Sequence, residues 1–144
     1  MRKSKLQYFI DLAKLVSSRA SCSRRQVGCV LVDEHDHVLS TGYNGPPKGI
    51  PNCTDKPCAG AHLPSGQGLD VCQAVHAEMN AVIQCKDVHA ITKAYVTTAP
   101  CLHCLKVLAN TSCQEILFVD DYPGSERSKD MWEMIGRKWT RVIQ

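Results

Sequence analysis

No apolar run in this 144-residue sequence is long enough to cross a membrane, and the basic first residues lead into a segment carrying Asp11 and Lys14 rather than the unbroken apolar stretch of a secretory signal. A cytoplasmic location is the expectation, with no membrane partner. There is no internal repeat, no Gly/Ser linker and no low-complexity tail, so one domain over residues 1–144 is expected. A large net charge of either sign is also missing. The net charge of +3 is too mild to mark a nucleic-acid-binding protein, although it suits a small anionic ligand. Hydrophobic residues at 44% and charged residues at 22% are ordinary for a globular chain with a real core. An even cysteine count, as a disulfide framework requires, is missing as well. The nine cysteines, with a Cys-x-x-Cys and a distant histidine among them, argue for metal ligation and free thiols.

The stretch from His76 to Cys104 organises the chain. It opens on His76-Ala77-Glu78 and closes on Pro100-Cys101-Leu102-His103-Cys104. One imidazole and two thiolates make a three-ligand zinc site whose fourth tetrahedral position is left to water. Zinc lowers the pKa of a bound water from 15.7 to roughly 7, which supplies a strong nucleophile at neutral pH. Glu78 follows the histidine closely enough to reach that water without ligating the metal. Its task is the one zinc cannot perform, the transfer of protons. Pro100 places Cys101 at a helix start, where the helix dipole favours a thiolate. Closed structural zinc sites also use Cys-x-x-Cys with a histidine, and Cys-x-x-Cys alone serves as a redox pair. A structural site, however, closes with a fourth protein ligand and has no use for a carboxylate beside the histidine.

Leu6, Phe9, Ile10, Ala13, Val16 and Ala20 recur at helical spacing and predict an amphipathic helix over 4–20. Two β-rich runs, 27–33 and 38–43, flank the polar Glu34-His35-Asp36-His37 turn and predict a hairpin whose histidines are solvated. Gly42-Tyr43-Asn44-Gly45-Pro46-Pro47 is a sharp turn, either as turn chemistry alone or with the Asn44 amide reaching a ligand's sugar hydroxyl. Residues 49–75 form a long polar segment with Cys53, Cys58, His62 and Cys72, and a loop so long is usually functional or held by something. A helix is expected over 71–85, packed through Val75, Met79, Val82 and Ile83. After it come a strand at 92–97, a helix at 101–110, a strand at 115–120, a loop with Tyr122, a helix at 128–136 ended by Gly136, and a short strand at 139–143. Cys29, Cys85 and Cys113 lie in apolar runs and read as core thiols. The order α-β-β-α-β-α-β-α-β implies a sheet covered by helices on both sides.

With these motifs in place the chain resembles the cytidine deaminase-like superfamily, and within it the deoxycytidylate (dCMP) deaminases. The resemblance rests on Cys22-x-Arg24-x-x-Val27-Gly28, on Gly42-Tyr43-Asn44-Gly45, on the cysteine-bearing insertion at 49–75 and on His76-Ala77-Glu78-Met79-Asn80-Ala81. The pattern H-x-E…P-C-x-x-C is an established signature of zinc nucleobase deaminases, matched here rather than deduced, and it fixes chemistry but not substrate. The Gly-Tyr-Asn-Gly turn followed by the long insertion selects the nucleotide branch. The resemblance implies an α/β fold, a three-layer α/β/α domain with a five-stranded mixed sheet. It implies deamination of dCMP to dUMP and ammonia, which supplies dUMP for dTMP synthesis. It also implies homo-oligomers, often hexamers, activated by dCTP and inhibited by dTTP. The size of the chain suits a phage or bacterial member, in the host cytoplasm if viral.

Residue by residue, His76, Cys101 and Cys104 would hold the catalytic zinc. Glu78 would carry protons to ring N3 and then to the leaving amino group. Asn44, Ala77, Thr98, Tyr122 and Arg24 are the expected substrate contacts, and Gly42, Tyr43, Asn44 and Gly45 the expected coupling between active and regulatory sites. A second, structural zinc is expected on Cys22, Cys53, Cys58 and His62, with Cys72 as rival for the last ligand. Segment 49–75 has too few apolar side chains to order itself by burial, and a metal would supply the missing folding free energy. Arg24, Arg25, Lys48 and Arg127 flank the site and are the candidates for a 5′-phosphate. The alternatives are another zinc deaminase, acting on cytosine, cytidine or tRNA adenosine, and a non-catalytic nucleotide sensor. A tRNA enzyme needs a basic surface that +3 hardly provides, so no nucleic-acid partner is expected. Glu78 argues against the sensor.

Overall fold

The computed structural model describes residues 1–22, 25–52 and 73–144. Arg24, Cys53, Cys58, His62 and Cys72, to which site roles are assigned above, lie outside the described residues. In chain order the elements are α1 (Lys5–Ser17), β1 (Gly28–Val32), β2 (Val38–Tyr43), α2 (Ala77–Gln84), β3 (Lys93–Thr98), α3 (Leu102–Ala109), β4 (Glu115–Asp120), α4 (Ser125–Met134) and β5 (Lys138–Arg141). The strands form a five-stranded sheet in the order β2-β1-β3-β4-β5. β1 is antiparallel to both β2 and β3, whereas β3, β4 and β5 run parallel, so the sheet is mixed as expected.

Strand β1 explains the layering. All five of its residues, Gly-Cys-Val-Leu-Val, are buried, which is the mark of a strand covered on both faces. Val30 and Val32 face α1 and pack with Phe9, Ile10, Ala13 and Tyr95. Cys29 and Leu31 face the other way, onto Ala77 and Ala81 of α2, Leu105 and Leu108 of α3, and Trp132 of α4. One helix therefore covers one side and three cover the other, giving the α/β/α arrangement. Cys29 and Cys113 are wholly buried and Cys85 is partly so, in keeping with core thiols.

Pairing of Gly28 with Tyr43, Cys29 with Val96 and Thr98 with Asp120 brings several strand ends to one edge of the sheet. They are the start of β1 and the ends of β2, β3 and β4. Helix α2 lies flush on this edge because Gly42 has no side chain. A Cβ there would stand 2.3 Å from the Ala77 carbonyl oxygen and 2.3 Å from the Ala81 nitrogen.

Several boundaries differ from the sequence expectation. The helix expected from residue 71 starts only at Ala77, because Val75 is extended and pairs with Gly45 in an antiparallel bridge. Ile83, expected on the packed face of that helix, is 74% exposed. The buried residues are Ala77, Glu78 and Ala81, and the two alanines are small enough for close approach to β2. Helix α1 ends at Ser17, ahead of Ala20, where the Ser17 and Ser18 hydroxyls turn back onto the Lys14 and Leu15 carbonyls. Helix α4 begins at Ser125, earlier than the expected 128, behind Gly124 at φ 91°. Its buried residues, Ser125, Ser128 and Trp132, include a single large apolar side chain, so the periodicity is weak. Ile143, expected in the last strand, is 83% exposed beyond Arg141. The expected 38–43 and 115–120 strands have the bounds observed.

Candidate active site

Two helix starts converge at the strand-end edge. His76 precedes α2 and Cys101 precedes α3, both with extended backbone, and Cys104 lies in the first turn of α3. His76 Nδ1 is 3.3 Å from Cys101 Sγ and 3.3 Å from Cys104 Sγ. All three donor atoms lie within 4.8 Å of one another. Tetrahedral zinc with bonds of about 2.3 Å to sulfur and about 2.0 Å to nitrogen spaces such donors about 3.5 Å apart. The group therefore fits a zinc ion, in donor chemistry as well as spacing.

The ionisation of these groups follows from their contacts. The Cys101 thiol is held down to about 4, first by its hydrogen bond with Cys104 and then by that with His76, against the opposing effect of burial. Cys104 moves the other way, because it shares its proton with Cys101 and is itself buried. Glu78, in the first turn of α2, is 4% exposed. Burial pushes its carboxyl up to about 7; the nearby His76 opposes the shift and Cys101 adds to it. A carboxyl that titrates near neutrality can both accept and release a proton during turnover.

A cleft of about 320 Å³ opens onto His76, Glu78 and Cys101, with Cys104 buried behind them. Asn44, Ala77, Thr98 and Tyr122, expected as substrate contacts, all line it. Two of them are already committed to the protein's own backbone. The Asn44 side chain accepts from the Val27 N–H at 2.8 Å and donates to the Arg25 carbonyl at 2.7 Å, so the amide expected to reach a sugar holds the entry to β1. The Tyr122 hydroxyl donates to the Pro100 carbonyl at 3.2 Å and lies 3.5 Å from Ser128 Oγ, while its ring walls the cleft. Of the turn residues Gly42, Tyr43, Asn44 and Gly45, Asn44 lines the cleft and Gly42 supports α2 from behind. Cys22, 7% exposed, is also in the cleft wall.

Arg25 and Arg127 both line the cleft, one from the segment before β1 and one from α4. His103 is a lining residue that the motif reading passed over. Its signal was present: it lies between the two cysteines in a first helical turn whose face is fixed by Cys104.

Comparison with known proteins places this arrangement. A family model described as "Cytidine and deoxycytidylate deaminase zinc-binding region" matches residues 3–120. The chain belongs to this deaminase family. It is 35% identical over 120 residues to the deoxycytidylate deaminase of Mycobacterium phage D29, covering 78% of this chain and 91% of the phage protein. It is 37% identical over 130 residues to the deoxycytidylate deaminase of Saccharomyces cerevisiae, covering 89% of this chain and 41% of the yeast protein. The chain thus spans less than half the length of that relative, and 43% of the Schizosaccharomyces pombe one. Among solved structures, the dCMP deaminase of cyanophage S-TIM5 superposes with a TM-score of 0.75 at 21% identity, covering 99% of this chain and 100% of the other. That likeness is one of fold, and the deaminase fold is the one found here. Among the described residues no helix is long and apolar enough to cross a membrane.

Proposed function

We propose that this family member deaminates dCMP to dUMP and ammonia. The observation that carries the reading is the convergence of His76, Cys101 and Cys104 beside the buried Glu78, at a cleft that His76, Glu78 and Cys101 line. His76, Cys101 and Cys104 would hold zinc. When bound, zinc supplies a water of lowered pKa as nucleophile at neutral pH. Glu78, whose carboxyl burial pushes up to about 7, takes up a proton at its carboxylate. It passes that proton to ring N3, which makes C4 electrophilic, and then carries one to the departing amino group. The buried Ala77 and Thr98 shape the cleft around the base, and the Tyr122 ring walls it.

The choice of a nucleoside monophosphate is supported by the charge of the cleft mouth. Arg25 and Arg127 both line it, and neither forms an ion pair with a carboxylate among the described residues. Two guanidinium forks without carboxylate partners suit a phosphate. It is also supported by the named activity of the yeast and phage relatives, and by the cyanophage enzyme, whose structure is known in complex with dCMP and dUMP.

The finer reading follows the family. It comprises supply of dUMP for dTMP synthesis in the cytoplasm, assembly into homohexamers, activation by dCTP and inhibition by dTTP through the 42–45 turn. It also includes a structural zinc on Cys22, Cys53, Cys58 and His62. Cys22 is buried beside the cleft, where it would tie the long insertion to the catalytic wall.

Ammonia release measured in parallel from dCMP, CMP, deoxycytidine and cytosine tests the proposal. Turnover of dCMP well above the other three is expected. Equal turnover of deoxycytidine would remove the phosphate reading, and no release from any of the four would remove the reaction.

A further inference from the structure

The metal-binding histidine has little secondary structure of its own. His76 is extended and precedes α2, without a side-chain cap of its own. The two carbonyls around it, those of Val75 and His76, are nevertheless both gripped by one residue. The backbone N–H of Asn80 donates to the His76 carbonyl at 3.0 Å as the first bond of the helix. Its side-chain amide Nδ2 donates to the Val75 carbonyl at 3.4 Å. The same Nδ2 donates to the Tyr43 carbonyl, at the end of β2, at 2.9 Å. The Gly45–Val75 bridge, with N–H···O distances of 3.1 and 2.7 Å, runs alongside and fastens the same peptide to the same turn.

Asparagine is a poor residue for a helix interior, because its amide competes for backbone groups. Here it does so productively, on carbonyls outside the helix. An amide nitrogen carries two hydrogens in a fixed plane, so two acceptors can be met at once. Serine would reach one of them, and aspartate, having only acceptors when ionised, neither.

We infer that Asn80 is a positioning residue: it fixes the peptide ahead of His76 to the end of β2 and so presets the imidazole against Cys101 and Cys104 for metal uptake. Asn80 does not line the cleft, so the inference concerns the metal and not substrate contact. It rests on reading His76, Cys101 and Cys104 as metal ligands. Outer contacts that orient a ligating histidine commonly change metal affinity or activity by about 10–100-fold when lost.

The test uses the full chain loaded with zinc, and the variants Asn80→Ala, Asn80→Asp and, as control, Gln84→Ala at the exposed end of the same helix. Alanine is the better helix former, so a defect in Asn80→Ala is not loss of helix propensity. Zinc release to an excess of chelator is followed without substrate, and kcat and KM for dCMP are measured separately. Amide hydrogen exchange at Gly45 and Val75 is read in the metal-free protein. For both Asn80 variants we expect a circular dichroism spectrum like the wild type's and zinc release about tenfold faster or more. We also expect kcat about tenfold lower with KM within about twofold, and faster exchange at Gly45 and Val75. Gln84→Ala should leave all of these within about twofold. Zinc release and kcat that stay at wild-type values overturn the inference. So does a rise in KM alone, which would put Asn80 on the substrate. Unfolding of both variants overturns it too, because the residue would then serve the fold at large. Should the wild type bind zinc yet release no ammonia, the proposed reaction fails while the zinc-release comparison still decides the role of Asn80.

Discussion

Tyr122 and Pro100 are joined by a hydrogen bond of 3.2 Å from the phenol to the carbonyl, which ties the loop after β4 to the residue immediately before Cys101, a proposed metal ligand. The same phenol lies near the fully buried Ser128 hydroxyl, so α4 takes part in the connection. Tyr122 therefore combines two functions, a ring that walls the cleft and a hydroxyl that braces the start of α3. They are separable. Tyr122→Phe keeps the ring and loses a hydrogen bond worth about 1 kcal/mol, so kcat/KM for dCMP should fall no more than about fivefold. Tyr122→Ala also removes the wall and should fall much further. Steady-state kinetics of the two variants check the order, and equal losses would contradict it.

Glu78→Gln should fold, retain zinc and lose turnover by a factor of about 10²–10⁴, the usual contribution of a positioned acid–base group. The substitution also removes a buried carboxyl that burial has pushed up to about 7, so thermal stability above neutral pH should not suffer. Stopped-assay ammonia release beside metal analysis settles it. Near-normal deamination by this variant would sink the mechanism.

Cys101→Ala and Cys104→Ala should each lose the metal together with the activity, since each removes one of the three donors proposed to hold it. Metal content after dialysis is the measurement. Full zinc retention in either variant would assign the site wrongly.

Gly42→Ala should be severe for so small a change. The added methyl meets backbone atoms of α2 at 2.3 Å, and backbone cannot rotate aside as a side chain can. Overpacking of this kind costs about 1–3 kcal/mol, and it shifts the helix that carries Glu78. Thermal denaturation and kcat should fall together. A melting temperature unchanged from wild type would contradict the contact.

Alkaline stability offers a test of the core away from the chemistry. Burial pushes the Cys113 thiol up to about 12 from its ordinary value near 9. The folded-state value lies above the unfolded one, so the stabilisation is complete below about 9 and fades as pH climbs towards 12. In that window the unfolded chain has lost a proton that the folded chain retains, and stability falls by up to ~1.4 kcal/mol per pH unit for one such group. Cys113→Ala should cost about 1 kcal/mol at neutral pH and flatten this slope. Urea melts at intervals between pH 8 and 11 measure it, and an unchanged slope would contradict it.

The grouping of His76, Cys101 and Cys104 beside Glu78 was legible because the chemistry expected of them demands particular residue types at close spacing, which a linear sequence preserves. The strands at 38–43 and 115–120 were legible because alternation or continuous apolarity fills them from end to end. The start of α2 was not. The apolar Val71 and Val75 extend a helical pattern backwards, and only a partner strand in space, the turn at Gly45, pulls Val75 out of it. The backbone role of Asn44 was hidden for a similar reason. A turn asparagine facing a cleft looks available to a ligand until its two backbone partners, Arg25 and Val27, are brought beside it by the hairpin. Asn80 escaped notice because nothing in an isolated helix distinguishes an amide that meets solvent from one that meets two distant carbonyls.

The mixed strand directions divide the molecule into two rims with different tolerances. With β1 reversed between β2 and β3, every connection near the cleft leaves one end of the sheet. The Asp33–His37 turn and the links before β3, β4 and β5 all fall at the opposite end. Loops borne by a rigid sheet can diverge without disturbing the strands beneath them. Lengthening the hairpin turn beyond Asp33 therefore alters neither the ligand triad nor the cleft, and that turn is the place to attach a label or a fused domain. The cleft rim has no such freedom. There the residues that line the cleft, the His76, Cys101 and Cys104 group and the hydrogen bonds that brace it share the same few peptides, so a change made in one loop is expected to perturb the next.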